Sequence, residues 1–144
     1  MYKRQDNEAL LEGLKEGVFD IIATDHAPHT PFEKSQDFVS APNGITGLET
    51  ALISLFHYFI KNDEFGWGLL VNRYSAEPRR MMGLDSVPIK EGGAADFLLF
   101  DPEGKTTFSA DFMQSQSQNT PFLDKTLNGS IDLVVLGDHV LLER

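Results

Sequence analysis

Residues 24–29 read Thr24-Asp25-His26-Ala27-Pro28-His29, which sets one carboxylate and two imidazoles within six positions. A carboxylate at Asp25 can ligate a divalent cation and act as a general base toward metal-bound water. A histidine four residues on, His29, can donate to an anionic substrate or complete a metal shell. The same spacing also suits a turn capped by Asp25 with two hydrogen-bonded loop histidines, and Asp-His-x-x-His is not itself a metal signature. Zinc takes three or four protein ligands, and the chain has four histidines in all. Of the other two, His57 falls on the polar side of a helical pattern and His139 in a terminal hairpin, so both read as structural or solvated. A second candidate is Ala41-Pro42-Asn43-Gly44-Ile45. Asn-Gly permits left-handed backbone and exposes N–H groups that can hold a carboxylate or carbonyl oxygen before a helix; it equally makes an ordinary turn. Ser117 to Phe122 is polar, then rigid, and contains no reactive pair.

These residues need elements to hold them. Asp6 caps a helix expected to run to Glu16, with Leu10, Leu11 and Leu14 on one face and Gly17 as its stop. Val18 to Thr24 is short, apolar and β-branched, as in a strand buried on both faces, and it delivers Asp25 at its carboxyl end, where α/β folds carry ligand and catalytic groups. About twenty residues without periodicity follow, containing Pro28, Pro31 and Pro42; loops of that length are usually functional or disordered. Thr46 and Glu49 form a capping-box pattern ahead of a helix whose core face is Leu48, Ala51, Leu52, Leu55, Phe56 and Phe59. Two short helices are expected at Phe65–Asn72 and Ser75–Met82. Strands are expected at Phe97–Phe100, Lys105–Ser109, Ile131–Leu136 and His139–Leu142, with Gly137-Asp138 as a two-residue hairpin turn. The expected fold class is α/β in the first half and β in the second, two units joined near residues 83–93.

Composition narrows the chemistry further. The 144 residues are 41% hydrophobic and 24% charged, enough for a core and unlike a disordered chain. Twelve Lys and Arg against 22 Asp and Glu give a net charge of −10. That opposes nucleic-acid backbone binding and attraction to an anionic membrane. With no cysteine, disulfides, thiolate catalysis and Cys-bound metal are excluded. No secretory signal and no membrane span is visible, so a cytoplasmic location is the default.

Together, IIATDHAPHT, APNGITGLETAL, NRYSAEPRRMMGL, PIKEGGAADFLLFDP, SQSQNTPF and LNGSIDLVVLGDHVL resemble the C-terminal part of dihydroorotases, cyclic amidohydrolases of the amidohydrolase superfamily. The resemblance runs in order over nearly the whole chain. It implies the C-terminal fragment of a (β/α)8 metal-dependent hydrolase barrel (residues 1–86) plus part of a small β-sandwich domain (87–144). It also implies interconversion of N-carbamoyl-L-aspartate and (S)-dihydroorotate in pyrimidine synthesis, with one or two Zn2+ per complete site. Asp25 then matches the strand-8 aspartate that binds metal and shuttles a proton. His29 matches the histidine that contacts the substrate carboxylate, and Asn43 and Gly44 the loop pair whose backbone touches substrate. The family often has Phe where Asn43 stands, and His26 matches a position behind the ligands. The remaining metal ligands and a substrate-binding arginine belong upstream of these residues. Met1-Tyr2-Lys3-Arg4-Gln5 departs from the Asn-Pro-Pro-Leu-Arg of the family, as a truncation or artificial junction would. The implied partner is a small molecule, with no nucleic acid or membrane, and a homodimer or an association with other pyrimidine-pathway enzymes is consistent with it. The chain on its own is expected to be inactive and nearly metal-free. A non-catalytic dihydroorotase-like scaffold and an allantoinase- or hydantoinase-type ring hydrolase are the alternatives.

Overall fold

The computed structural model describes residues 4–143; most of the unusual opening pentapeptide, Met1 to Lys3, lies outside them. Helix α1 spans Arg4–Glu16, starting two residues before the expected Asp6, with Asp6 in its first turn and Lys15 in its last. Those charges oppose the helix dipole favourably. Gly17 ends it at φ 82°, a left-handed conformation that costs glycine little.

Val18 to Thr24 is not a paired strand. Its sole ladder contact is one parallel bridge, His26 to Ile45, just beyond its end. Ile22 N–H donates to the Arg73 carbonyl at 2.9 Å, while Val18, Phe19 and Ile21 are exposed rather than buried. A strand is stable only beside a neighbour that takes its N–H and C=O groups, and among the described residues none runs along this one. The long loop after it contains a turn that periodicity did not show: α2, Pro31–Lys34, with Pro31 at its first position and a complete Thr30/Glu33 capping box.

Helix α3 spans Ala51–Leu55 and continues into a π-helical turn, Phe56–Ile60. The expected Thr46/Glu49 capping box is not formed. Thr46 is fully buried and bonds the Asn119 carbonyl, while Glu49 bonds the Ser115 amide. The buried face also differs from the expected stripe: Ile53 and Phe56 are buried, and Leu48 is 61% exposed. Packing against the sheet decides this, since helical spacing alone allows the stripe to rotate by one residue. Helix α4 (Trp67–Val71), a π-helical turn (Asn72–Ala76) and α5 (Glu77–Met81) follow without a break where two helices were expected, and Gly83 at φ 68° ends the run.

The second half is an antiparallel sheet in the order β1–β2–β3: Phe97–Thr107, Thr126–Leu136 and His139–Glu143. The two pieces expected at 97–109 are one strand, interrupted by a register shift between Asp101 and Lys105 over Pro102-Glu103-Gly104. β2 starts five residues before the expected Ile131, because Thr126 to Ser130 pair with Asp101 and Lys105 to Thr107 despite their polar sequence. The β2–β3 turn at Gly137-Asp138 forms as expected, with Leu136 paired to His139 and Gly137 at φ 62°. Positive φ at the first central residue only is the pattern of a type II′ turn.

The core cluster joins Ile53 of α3 to Phe108 and Leu127 of the sheet region, with Phe100, Phe112 and Phe122 packed around it. Phe56 stacks on Trp67 with centroids 5.5 Å apart and meets Phe100 edge-on at 4.9 Å. Each buried side chain of this size contributes about 1.5–3 kcal/mol. The cluster joins residues on both sides of residue 86, Ile53 before it and Phe108 and Leu127 after it.

Candidate functional site

The extended segment 18–24 ends at Asp25, whose φ of 47° lies in the left-handed region. Aspartate visits that region more readily than most residues, and the turn redirects the chain into the histidine loop. The Asp25 side chain is exposed and makes no hydrogen bond to a described residue.

His26 faces the other way. Its Nδ1 accepts the Gly47 N–H at 3.1 Å and the Leu48 N–H at 3.3 Å. It thereby satisfies two amides of the turn that leads into α3, and with Nδ1 accepting, the neutral ring carries its proton on Nε2. His29 Nε2 donates to the Asn43 carbonyl at 2.9 Å, and its Nδ1 sits 3.9 Å from Glu33 Oε2. The Thr30 amide and hydroxyl, each donating to Glu33 at 2.8 Å, hold that carboxyl below its ordinary range. Folding therefore brings His29, Asn43 and Gly44 together. A Cβ on Gly44, at φ 117°, would lie 2.6 Å from the Ala27 Cβ and 3.3 Å from His29 Nε2, so this approach requires glycine.

The Pro42–Gly44 backbone has a consistent polarity. Lys34 Nζ donates to the Pro42 carbonyl at 2.8 Å and the Gly44 carbonyl at 3.3 Å; His29 takes the Asn43 carbonyl; Asn119 Nδ2 takes the Gly44 carbonyl at 2.8 Å. The Asn43 and Gly44 N–H groups donate to no described residue. With its carbonyls held and its amides open, this turn suits an anionic or carbonyl oxygen.

A groove of about 350 Å³ runs between this loop and the polar segment after β1, with His26, His29, Glu33, Ser115 and Ser117 among its walls. Glu49 anchors that segment: its Oε1 accepts the Ser115 N–H at 2.6 Å, while Oε2 is buried without a partner among the described residues. Burial raises the Glu49 pKa, but the Ser115 hydrogen bond, with the nearby His26, outweighs it, and the net shift is downward. Asp25 is not among the residues lining this groove. His57 lies elsewhere, accepting the Asn128 N–H at 3.1 Å and so tying α3's continuation to β2. His139 is exposed beside Asp138.

Sequence reasoning missed Lys34, Glu49 as an anchor, and Asn119. The composition of Ser117–Phe122 marked an ordered polar loop, but no local signal shows that it meets residue 44, seventy-five positions earlier.

The described residues do not complete a metal centre. Among them no group of three or more His, Asp or Glu side chains is placed to hold an ion. His26 Nδ1 and His29 Nε2 are already engaged, each ring keeps one other nitrogen, and with Asp25 these side chains do not converge into the three or four ligands that zinc takes. Among the described residues, no helix is long and apolar enough to cross a membrane.

The amidohydrolase family matches residues 1–141. The chain is 36% identical over 141 residues to the dihydroorotase of Clostridium acetobutylicum, covering 98% of this chain and 33% of that protein. It is 38% identical over 138 residues to the dihydroorotase of Caldicellulosiruptor saccharolyticus, covering 96% and 32%. Among solved structures, the L-hydantoinase (dihydropyrimidinase) of Arthrobacter aurescens aligns with a TM-score of 0.88 at 25% identity, over 98% of this chain and 32% of that one. The chain spans about a third of the length of the curated relatives it matches.

Proposed function

As a member of the amidohydrolase family, the chain is, we propose, the C-terminal segment of a dihydroorotase, which interconverts (S)-dihydroorotate and N-carbamoyl-L-aspartate. The observation that carries this reading is the 36–38% identity to dihydroorotases along almost all of the chain; the hydantoinase with the similar fold is only 25% identical. The proposal extends to a (β/α)8 barrel divided from a small β-sandwich near residue 86, and to a cytoplasmic protein. It further includes one or two Zn2+ ions, held, apart from Asp25, by residues outside this chain, and a homodimer or a multienzyme association.

Within that reading the chain's own residues have separate tasks. The Asp25 carboxylate accepts a proton from the water that attacks the ring amide carbonyl. It returns that proton to the ring nitrogen as the C–N bond breaks; the reverse path closes the ring. His29, exchanging its Nε2–H bond to the Asn43 carbonyl for one to substrate, and the open Asn43 and Gly44 amides receive the substrate's carboxylate and carbonyl oxygens. Holding the ring still is what makes the attack effectively unimolecular. The overall charge of −10 repels such an anion, so these donors and the cations of the missing portion must offset it locally.

The test is a fusion in which this chain replaces the matching third of the C. acetobutylicum enzyme. Turnover of dihydroorotate is expected, with Asp25→Asn reducing kcat by about 10³-fold or more while leaving the thermal midpoint within a few degrees. Turnover of hydantoin or allantoin instead would transfer the assignment to those ring hydrolases. A folded, inactive fusion would favour the scaffold.

A further inference from the structure

We propose that Asn119 is a positioning residue for the Asn43–Gly44 turn, so that the loop between β1 and β2 sets how tightly substrate is held. This rests on the dihydroorotase reading above. Asn119 brackets the turn from one side: its side-chain Nδ2 donates to the Gly44 carbonyl at 2.8 Å, and its main-chain carbonyl accepts the Thr46 N–H at 2.9 Å. On the opposite side, Ala27 N–H donates to the Ile45 carbonyl at 2.9 Å. Residues 44–46 are therefore held on both edges, like a short central strand, although a single bridge is their only ladder contact.

The orientation of the Asn119 amide is fixed by its partner. Flipped, its oxygen would oppose the Gly44 carbonyl oxygen, so the donor must face residue 44. Asn119 is itself braced: its N–H donates to Oγ of the buried Ser117 at 3.2 Å, and Phe122, three residues on, packs against the core cluster. Lys34 reaches the same Gly44 carbonyl from the histidine loop, but its longer, more flexible stem orders the peptide less. By holding the Gly44 carbonyl, Asn119 fixes the Gly44–Ile45 peptide plane and limits rotation about the Gly44 Cα, which keeps the Gly44 N–H of the preceding plane directed to donate to an incoming oxygen.

The experiment uses the full chain in the fusion described above, with Asn119→Ala and the isosteric Asn119→Asp, which keeps the shape and removes the donor. Both retain the main-chain bond to Thr46. The expected result is a KM for dihydroorotate raised about fivefold or more, the worth of one hydrogen bond, with kcat within about twofold. Amide exchange should be faster by a similar factor at Thr46, whose N–H donates to the Asn119 carbonyl, and unchanged in β1 and β2. Unchanged KM, or a fall in kcat alone, overturns the proposal. So does faster exchange throughout the sheet in both variants, which would mark a purely structural role. If the parent fusion has no turnover, the dihydroorotase reading fails by itself. The exchange comparison then decides this inference: local acceleration at Thr46 supports the clamp and its absence removes it.

Discussion

At the scale of single residues, Glu49 shows how one carboxylate can serve folding where its sequence context suggests a different task. It sits three positions after Thr46, the spacing of a capping box, yet it reaches across to the Ser115 amide. Its pKa is lowered in the folded protein, the Ser115 bond prevailing over burial. A depressed folded pKa contributes stability that is present above the unfolded value, near 4.3, and lost as pH falls through the folded one. Glu49→Gln is therefore expected to destabilise the protein by about 1 kcal/mol at pH 7, discounted for partial exposure. The gap between variant and parent should narrow below about pH 4, a difference that thermal melts from pH 3 to 7 would reveal. A constant gap over that range would mean that shape rather than charge holds the Ser115 loop. His26 is the complementary case. Its position beside Asp25 points to metal chemistry, while its Nδ1 is committed to the Gly47 and Leu48 amides.

Elements were legible where their cause is local. Gly17 and Gly83 end helices at positive φ, and Gly137-Asp138 makes its hairpin, because turn chemistry acts over two or three residues. Val18–Thr24 has a strand's composition and no strand's partner, and composition cannot supply a neighbour. Thr126–Ser130 is the converse: its sequence is polar, but β1 lies alongside it. The candidate site divides the same way. The His29, Asn43 and Gly44 residues stand out by type, and their meeting is a short-range event, whereas the Asn119 contact depends on the whole core being assembled. Gly129 at φ 96° marks the element-scale weak point, since a Cβ there would run into the rings of Phe100 and Phe56. Gly129→Ala is expected to cost about 2–4 kcal/mol, through strain at positive φ together with overpacking. Denaturant titration should show it; a loss under 1 kcal/mol would mean that the aromatic trio of Phe56, Trp67 and Phe100 yields easily.

At the scale of the molecule, exposed apolar side chains accompany the extended segment and the histidine loop. Val18, Phe32, Phe38 and Val39 are 67%, 76%, 99% and 92% exposed, beside an extended segment with one ladder bridge. Exposed apolar side chains next to unpaired backbone favour association. The isolated chain is expected to self-associate in sedimentation as concentration rises, to turn over no dihydroorotate and to bind far less than one equivalent of zinc. Monomers at all concentrations with a single sharp melt would contradict the first expectation, and stoichiometric zinc the last. The β2–β3 hairpin lies at the other extreme. Its tip at Gly137 has open space around the position of a Cβ, the Asp138 side chain is 92% exposed, and the chain contains no cysteine. Asp138→Cys thus offers one unique thiol for a fluorophore, a reporter of tumbling and assembly mounted on the sheet well away in sequence from the histidine loop.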